Sequence, residues 1–386
     1  MIKKKILHII TSIDNGGAEN HLSDLISCQV KTYDVSLIYF KGSSYHRNNL
    51  VKKGVKIIRI NLKNKNILLF AIKFLEVLKI YKKIRPEIVH CHLWMSELYG
   101  LCLKLLFRKS FFLVITKHLD SFIFEGSFGS KKFLKGIFLE KIIFYYTNHI
   151  IFISKAVNNF FLQSINISRQ KYSTICYGVN FDKFSKYNRK KNFHLKKKLN
   201  IDNKTSILGC VARHVEQKSL DIVLKSFSLF VKRNPKVKTK LIMIGKGHLE
   251  KDLKQLAKNL SIYNKTIWLR NTNYIQKYYN IFDMLCLSSK YEGFGLVLLE
   301  SLASGVPILA TKSGAIPEIV KNKINGHLVR YGDVENFSKR IPDTLKLSTT
   351  IKFKKYLSNM KNLFSLNKVF LATNKVYSRA RIKSNF

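Results

Sequence analysis

The chain has 386 residues, enough for two domains of about 190 residues, each with a core of its own. Its 69 Lys and Arg against 23 Asp and Glu give a net charge of +46, and hydrophobic residues make up 46%. That hydrophobic share excludes a disordered chain, while the charge points to anionic partners: nucleic acid, anionic lipid or a phosphorylated substrate. The lysines are spread throughout and accompanied by many Asn and Ile, so part of the basicity is read as compositional bias of the source genome.

Six cysteines, Cys28, Cys91, Cys102, Cys176, Cys210 and Cys286, form no C-x-x-C pair and lie mostly in apolar surroundings. Buried free thiols and a reducing compartment are expected. The N-terminal MIKKKILHIITSIDNGG has the lysines and apolar run of a signal peptide. The run is short, contains His8, is followed by Asp14 and lacks a small-residue cleavage site, so a first parallel strand is expected instead. No uninterrupted apolar stretch of about 18 residues occurs, so no spanning helix is expected. Residues 137–153 come closest but contain Glu140, Lys141 and His149.

In chain order, residues 4–12 read as a strand, Asp14-Asn15-Gly16-Gly17 as a turn and Ala18 to Val30 as a helix. A glycine turn opening a helix suits a phosphate, although the same turn is often only geometry. Strands at 34–40, 55–60, 87–91 and 111–116 alternate with helical stretches, the pattern of a parallel sheet covered by helices. Residues 67–83 and 131–147 predict helices with broad apolar faces and lysines. Packing on the sheet is the expectation, and a basic, aromatic face lying on a membrane is the alternative. His90-Cys91-His92 invites a metal site, but alternation along a strand sends neighbours to opposite faces, and no metal is assigned. Lys117-His118 follow the strand FFLVIT at its carboxyl end, where parallel sheets bind ligands; from spacing alone His118 reads as a solvated loop histidine.

Residues 185–200 are rich in Lys, Arg and Asn without periodicity and read as an exposed linker. SILGCVAR is then a buried strand. Arg213 and Lys218 stand at its end and at the entrance of a helix from Leu220 to Val231, where two cations can converge on one anion against a background of surface charge. KLIMIGKGHL repeats the strand and glycine turn, with Gly245 and Gly247. TIWLRNT and IFDMLCLSS supply two more strands, the second delivering Ser288 and Ser289. Residues 351–386 are helical and basic.

The densest stretch is residues 288–326. Glu292 precedes Gly293-Phe294-Gly295, and a helix is predicted to start near Leu296 and to contain Glu300. The helix start offers free N–H groups and a positive dipole end to a phosphate. A carboxylate on either side suits the hydroxyls of a nucleoside diphosphate sugar. Read without that context, the two glutamates are an ordinary loop residue and an ordinary helix residue.

EGFGLVLLESLASGVPILAT resembles, nearly residue for residue, the E-x7-E signature of retaining glycosyltransferases of family four, the group 1 glycosyl transferases. The likeness recurs more thinly along most of the chain. It implies an α/β GT-B fold, with two doubly wound Rossmann-like domains facing across a cleft. Residues 1–184 would bind the acceptor and 185–364 the donor, and the helix of 365–386 would cross back to the first domain. It places Gly16 and Gly17 opposite the donor diphosphate and His118 close to the transferred sugar. Ser154 matches the serine of the family's last N-domain strand. Arg213 and Lys218 would hold the diphosphate, Glu300 the ribose and Glu292 the sugar. His118, Arg213, Lys218 and Glu292 are thus the expected catalytic residues. Gly245, Ser289, Gly293, Phe294, Gly295 and Leu296 complete the expected donor-binding set. The chain departs from the family at Tyr177 (usually Asn), Asn180 (usually Asp), Ser219 (usually Gly) and Ala315 (usually Gly).

No Asp-x-Asp occurs, so a diphosphate bridged by Mg²⁺ lacks its usual ligands, and metal-independent chemistry with retention is expected. The expected donor is a UDP- or GDP-linked hexose or N-acetylhexosamine. The expected acceptor is a glycan or polyprenyl-linked molecule of bacterial surface polysaccharide assembly. The basic charge adds an anionic membrane surface as partner, with a cytoplasmic, peripheral location on the inner membrane. A sugar-nucleotide epimerase of the same architecture is the alternative. A nucleic-acid binder is suggested by charge alone, without a zinc or nucleic-acid motif, and nucleic acid is not an expected partner.

Overall fold

Buried apolar runs bounded by turns assemble into two parallel sheets. The computed structural model describes residues 3–14, 16–42, 46–61, 67–118, 131–185, 193–270, 272 and 274–380. The chain divides into two units, Met1–Tyr177 with Leu366–Phe386, and Gly178–Ser365.

Unit 1 holds a seven-stranded sheet in the order β3-β2-β1-β4-β5-β6-β7. Its strands are β1 Lys5–Ser12, β2 Asp34–Lys41, β3 Lys56–Arg59, β4 Ile88–His92, β5 Phe112–Lys117, β6 His149–Phe152 and β7 Tyr172–Thr174. All pairs are parallel. The central strands are buried on both faces, which is why they read as continuous apolar runs rather than as alternation. The strand order reverses between β1 and β4, the place where a doubly wound sheet leaves a crevice at its carboxyl edge. Helices Gly17–Gln29 and Leu366–Tyr377 pack together, and Leu25, Val369, Val376 and Tyr377 share one core with Ile6, Ile88 and Val114 of the sheet.

Strand β5 feeds both faces of this sheet with polar groups. Lys117 is buried, with its Nζ 2.8 Å from Glu97 Oε2 and 2.6 Å from Glu140 Oε1, and all three side chains are at most 2% exposed. Thr116 and His118 point to the opposite face, as strand alternation requires. The chain leaves β4 through Leu93, a non-glycine residue at φ 69° and ψ 147°, whose carbonyl accepts the N–H groups of Ser96 and Glu97. Such a backbone costs about 1–3 kcal/mol and persists only where its surroundings hold it.

Unit 2 holds a six-stranded parallel sheet, β10-β9-β8-β11-β12-β13. Its strands are β8 Ser206–Val211, β9 Thr239–Ile244, β10 Thr266–Leu269, β11 Met284–Leu287, β12 Ile308–Thr311 and β13 Gly326–Val329. The reversal falls between β8 and β11. Both sheets belong to an α/β fold of the GT-B type.

Three expectations need correction or limits. The stretch read as a linker contains a helix, Phe193–Lys198, and its three closing lysines complement the negative end of the dipole; residues 186–192 lie outside the described residues. The C-terminal stretch is two helices, Ile351–Phe364 and Leu366–Tyr377, broken at Ser365, and residues 381–386 lie outside the described residues, as does Asn15 of the first glycine turn. All six cysteines are thiols rather than disulfides, but only Cys91, Cys210 and Cys286 are buried; Cys28, Cys102 and Cys176 are half-buried.

Candidate donor site in the second unit

The neighbouring carboxyl ends of β8 and β11 bring the candidate residues together. After β8 the chain runs through Arg213 and a short 3-10 turn, Glu216–Lys218, into the helix Leu220–Arg233. After β11 it runs through Ser288 and Ser289 to Glu292, and then into the helix Leu296–Ala303, which contains Glu300. Ser288 Oγ donates to the carbonyls of Lys218 and Ser219 at 2.9 and 2.8 Å, and Lys290 N–H donates to the Gln217 carbonyl at 2.8 Å. The two loops are thereby held as one piece.

Within it, Lys218 Nζ lies 2.5 Å from Glu292 Oε2, with the side chains 13% and 12% exposed. Ser289 Oγ donates to the same oxygen at 3.1 Å. Arg213 is exposed and touches Gln217 Oε1 at 3.4 Å, and Gln217 in turn donates to the Tyr291 carbonyl. Gly293, Phe294, Gly295 and Leu296 are buried, with Gly295 capping the helix. Glu300 is buried in that helix and accepts a 2.8 Å hydrogen bond from Tyr279 Oη. Burial and the neighbouring carboxylate push the Tyr279 phenol well above its ordinary value, so it stays a donor.

Two glycines show why the loops close so tightly. Gly314 has φ +48°, and a Cβ there would sit 2.2 Å from the Glu292 carbonyl, whose other contact is the Ala315 N–H at 2.9 Å. Gly245 has φ +154°, and a Cβ there would sit 1.9 Å from the Ala212 carbonyl, beside Arg213. Ser219, where the family usually has Gly, adopts the left-handed conformation at φ 44° as cap of the helix Leu220–Arg233. Its hydroxyl donates to the Glu216 carbonyl and meets Tyr331 Oη at 3.0 Å.

The remaining candidates, Gly16, Gly17 and His118, belong to unit 1. Gly16 caps the helix Gly17–Gln29, but the Glu19 carboxylate folds back over it, so that a Cβ on Gly16 would meet Glu19 Oε2; Ser12 donates to the same carboxylate. His118 is buried, and both ring nitrogens have protein partners, Nε2 with His92 Nδ1 at 3.1 Å and Nδ1 with Tyr177 Oη at 2.5 Å. Unit 1 also shows that alternation along β4 removes only Cys91 from the His90-Cys91-His92 set. His90 and His92 keep one face, and His8 of β1 joins them, with one ring nitrogen of each lying within 4.8 Å of the other two. Sequence reading did not bring in His8 or Tyr279. His8 pairs through sheet register, and Tyr279 stands 21 residues before Glu300 with no local pattern to flag it.

The family description "Glycosyl transferases group 1" matches residues 191–361, and "Glycosyltransferase Family 4" matches residues 15–183. An uncharacterised glycosyltransferase of Methanocaldococcus jannaschii is 26% identical over 245 residues, 62% of this chain and 61% of that protein. The Escherichia coli UDP-Gal:alpha-D-GlcNAc-diphosphoundecaprenol alpha-1,3-galactosyltransferase is 24% identical over 263 residues, 67% of this chain and 66% of that protein. The chain thus spans less than two thirds of the length of these relatives. Among solved structures, Anabaena HepE in complex with UDP-glucose is similar with a TM-score of 0.83 at 18% identity, covering 97% of this chain and 99% of that one. With both sheets, both family matches and the E-x7-E loop and helix in place, the chain belongs to the group 1 glycosyltransferases of family four.

Proposed function

We propose that the chain is a hexosyltransferase (EC 2.4) moving a hexose or N-acetylhexosamine, with retention, from a UDP- or GDP-linked sugar to a glycan or polyprenyl-linked acceptor in bacterial surface polysaccharide assembly. The observation that carries this reading is the grouping of Arg213, Lys218, Ser289 and Glu292 on joined loops at the switch point of unit 2, with Glu300 in the helix that follows the second loop. Negative charge builds on the diphosphate as the glycosidic bond breaks. Two fixed cations and the helix start favour that state over the bound substrate, so the site needs no metal. The carboxylates of Glu292 and Glu300 accept from sugar and ribose hydroxyls respectively. A UDP-glucose complex in a structural relative and a diphosphoundecaprenol acceptor in a sequence relative support the donor and acceptor classes.

The test is a screen of UDP- and GDP-sugars for binding and for transfer to a polyprenyl-diphosphate-linked sugar, in excess EDTA. Transfer with retained anomeric configuration is expected. Epimerised donor in the absence of acceptor would instead establish the epimerase alternative, and activity restored only by added Mg²⁺ would overturn the metal-free reading.

The helix Lys131–Tyr146 supports a peripheral, cytoplasmic-face location. Its inner side buries Ile137, Glu140, Ile143 and Phe144, while Leu134, Phe138 and Tyr145 are 57%, 67% and 75% exposed, interleaved with exposed Lys135 and Lys141. An apolar stripe edged by lysines fits an anionic lipid surface. Among the described residues no helix is long and apolar enough to cross a membrane.

A further inference from the structure

Four histidines meet on the face of the unit 1 sheet that carries Thr116. His8 of β1 is in register with His90 of β4, and His92 of β4 is in register with Thr116 of β5. One arm of hydrogen bonds runs from Tyr177 Oη to His118 Nδ1 (2.5 Å), from His118 Nε2 to His92 Nδ1 (3.1 Å), from His92 Nε2 to His8 Nδ1 (3.2 Å) and from His8 Nε2 to Gln29 Oε1 (2.8 Å). The other runs from Gln29 Nε2 to Tyr377 Oη (3.2 Å), then to His90 Nδ1 (2.6 Å), and from His90 Nε2 to Thr116 Oγ1 (2.7 Å). All eight side chains are buried.

The direction of every bond follows from one residue. A neutral imidazole donates at one nitrogen and accepts at the other, and the Gln29 amide can only accept at Oε1 and donate at Nε2. With Oε1 toward His8, His8 must donate through Nε2 and accept at Nδ1. His92 must then do the same, and so must His118, which leaves His118 Nδ1 to accept the Tyr177 proton. On the other side Gln29 donates to Tyr377, whose own proton goes to His90 Nδ1, and His90 Nε2–H goes to Thr116. Every nitrogen has a role and every ring is neutral, in keeping with burial that lowers all four histidines below their ordinary range. Turning the amide over would reverse both arms together.

We propose that these eight side chains form one directed hydrogen-bond wire, that Gln29 sets its direction, and that Gln29, His8 and His92 act through it as positioning residues for His118 and Tyr177 in sugar transfer. The positioning step rests on the reaction proposed above; the wire itself does not. Both His118 nitrogens are engaged within the wire. The last bond of the His118 arm is donated by the buried Tyr177 hydroxyl, at a position where the family usually has Asn. The nitrogens of His8, His90 and His92 are close enough to resemble a zinc or copper donor set, but each is already committed within the wire.

Imidazole ¹⁵N NMR on the full chain tests this without substrates. All four histidines are expected as the Nε2–H tautomer. A mixed set, or four Nδ1–H rings, overturns the proposal, as does stoichiometric zinc binding that abolishes these signals. Gln29→Glu accepts from both neighbours, so Tyr377 no longer donates to His90. His90, which residue 29 does not touch, should switch to Nδ1–H while the other three stay; an unchanged His90 overturns the coupling. If that variant does not fold, the spectrum of the unaltered chain still decides the wire. For the positioning step, His92→Phe should lower turnover by about tenfold to a hundredfold, the scale of outer-shell partners, with donor affinity unchanged. His92→Gln, which can both accept and donate, should recover part of that loss, and equal losses in the two variants overturn positioning. If the unaltered chain transfers no sugar at all, the functional reading fails, and the tautomers still decide the wire.

Discussion

The ammonium of Lys218 lies 2.5 Å from the carboxylate of Glu292, so the cation expected to meet the diphosphate and the acid expected to meet the sugar neutralise each other. A donor diphosphate has to compete for that ammonium. Glu292→Gln should therefore leave UDP binding intact or tighter while depressing transfer. Lys218→Ala should weaken UDP binding and lower turnover by about a hundred- to a thousandfold, the cost of a lost preorganised donor. Arg213→Ala should fall in the same range, with Arg213→Lys recovering only part, because a point charge does not reproduce a planar fork. Calorimetry with UDP beside steady-state transfer separates these outcomes. UDP affinity falling equally in Glu292→Gln and Lys218→Ala would show that the ion pair does not oppose the donor.

Glu300 behaves differently because Tyr279 already fixes its carboxylate from the buried side. Glu300→Ala should cost about 1.5–3 kcal/mol in the affinity of the bare nucleotide, the range for hydrogen bonds to a charged group. Tyr279→Phe should cost less, since it loosens Glu300 without removing it. If Glu300→Ala spares nucleotide binding and Glu292→Ala abolishes it, the two ends of the donor are the reverse of those proposed.

The histidines of unit 1 set an acid limit. Burial holds His8 at about 4 and His21 at about 3, against an ordinary 6.5. Folding favours their neutral form, so their contribution is intact above pH 6.5 and declines as pH falls from 6.5 toward those folded values. Each such histidine removes about 1.4 kcal/mol of stability per pH unit in that window. The charged neighbours reinforce the sign: Lys117 lies beside His118 and Arg379 beside His149, and both oppose protonation. Hydrogen exchange at pH 7.5 and pH 5 should show strands β1, β4 and β5 losing protection before β8 and β11. Loss in the reverse order would place the acid-sensitive groups in unit 2.

Membrane attachment through the helix Lys131–Tyr146 predicts co-sedimentation with anionic vesicles at low salt and release at high salt, at about 1 kcal/mol per nearby basic residue. Phe138→Asp, on the exposed side, should abolish recovery without disturbing nucleotide binding. Equal recovery on neutral vesicles at both salts would remove the idea.

The sheets and the E-x7-E loop were legible because each rests on local pattern: apolar runs between turns, and glycines flanking Glu292. The GT-B assignment followed from motif density, and the fold agrees. Features assembled across the sheet were not legible. The partnership of His90 and His92 with His8 depends on strand register, and reading alternation as scattering the whole triplet missed that second neighbours share a face. Helix Phe193–Lys198 lacks apolar periodicity, and its closing lysines read as solvent-exposed charge rather than as a favourable helix end. The reason for a glycine at 314, the Glu292 carbonyl pressed against it, lies 22 residues away in the chain and only a structure supplies it.

Strand β5 has a further consequence, for how the sheet finds its alignment during folding. Consecutive residues Thr116, Lys117 and His118 deliver opposite chemistries to opposite sides: a cation to two buried acids, and neutral partners to a layer of neutral rings. A slip of one residue exchanges the sides. It would carry the ammonium into a layer with no carboxylate among its hydrogen-bonding members and leave Glu97 and Glu140 facing each other without their counter-ion, a mismatch far costlier than any misplaced Ile or Val of the same strand. Apolar strands tolerate near-miss pairings because one aliphatic residue resembles the next. Here three consecutive side chains mark the strand's own position by charge as well as by shape.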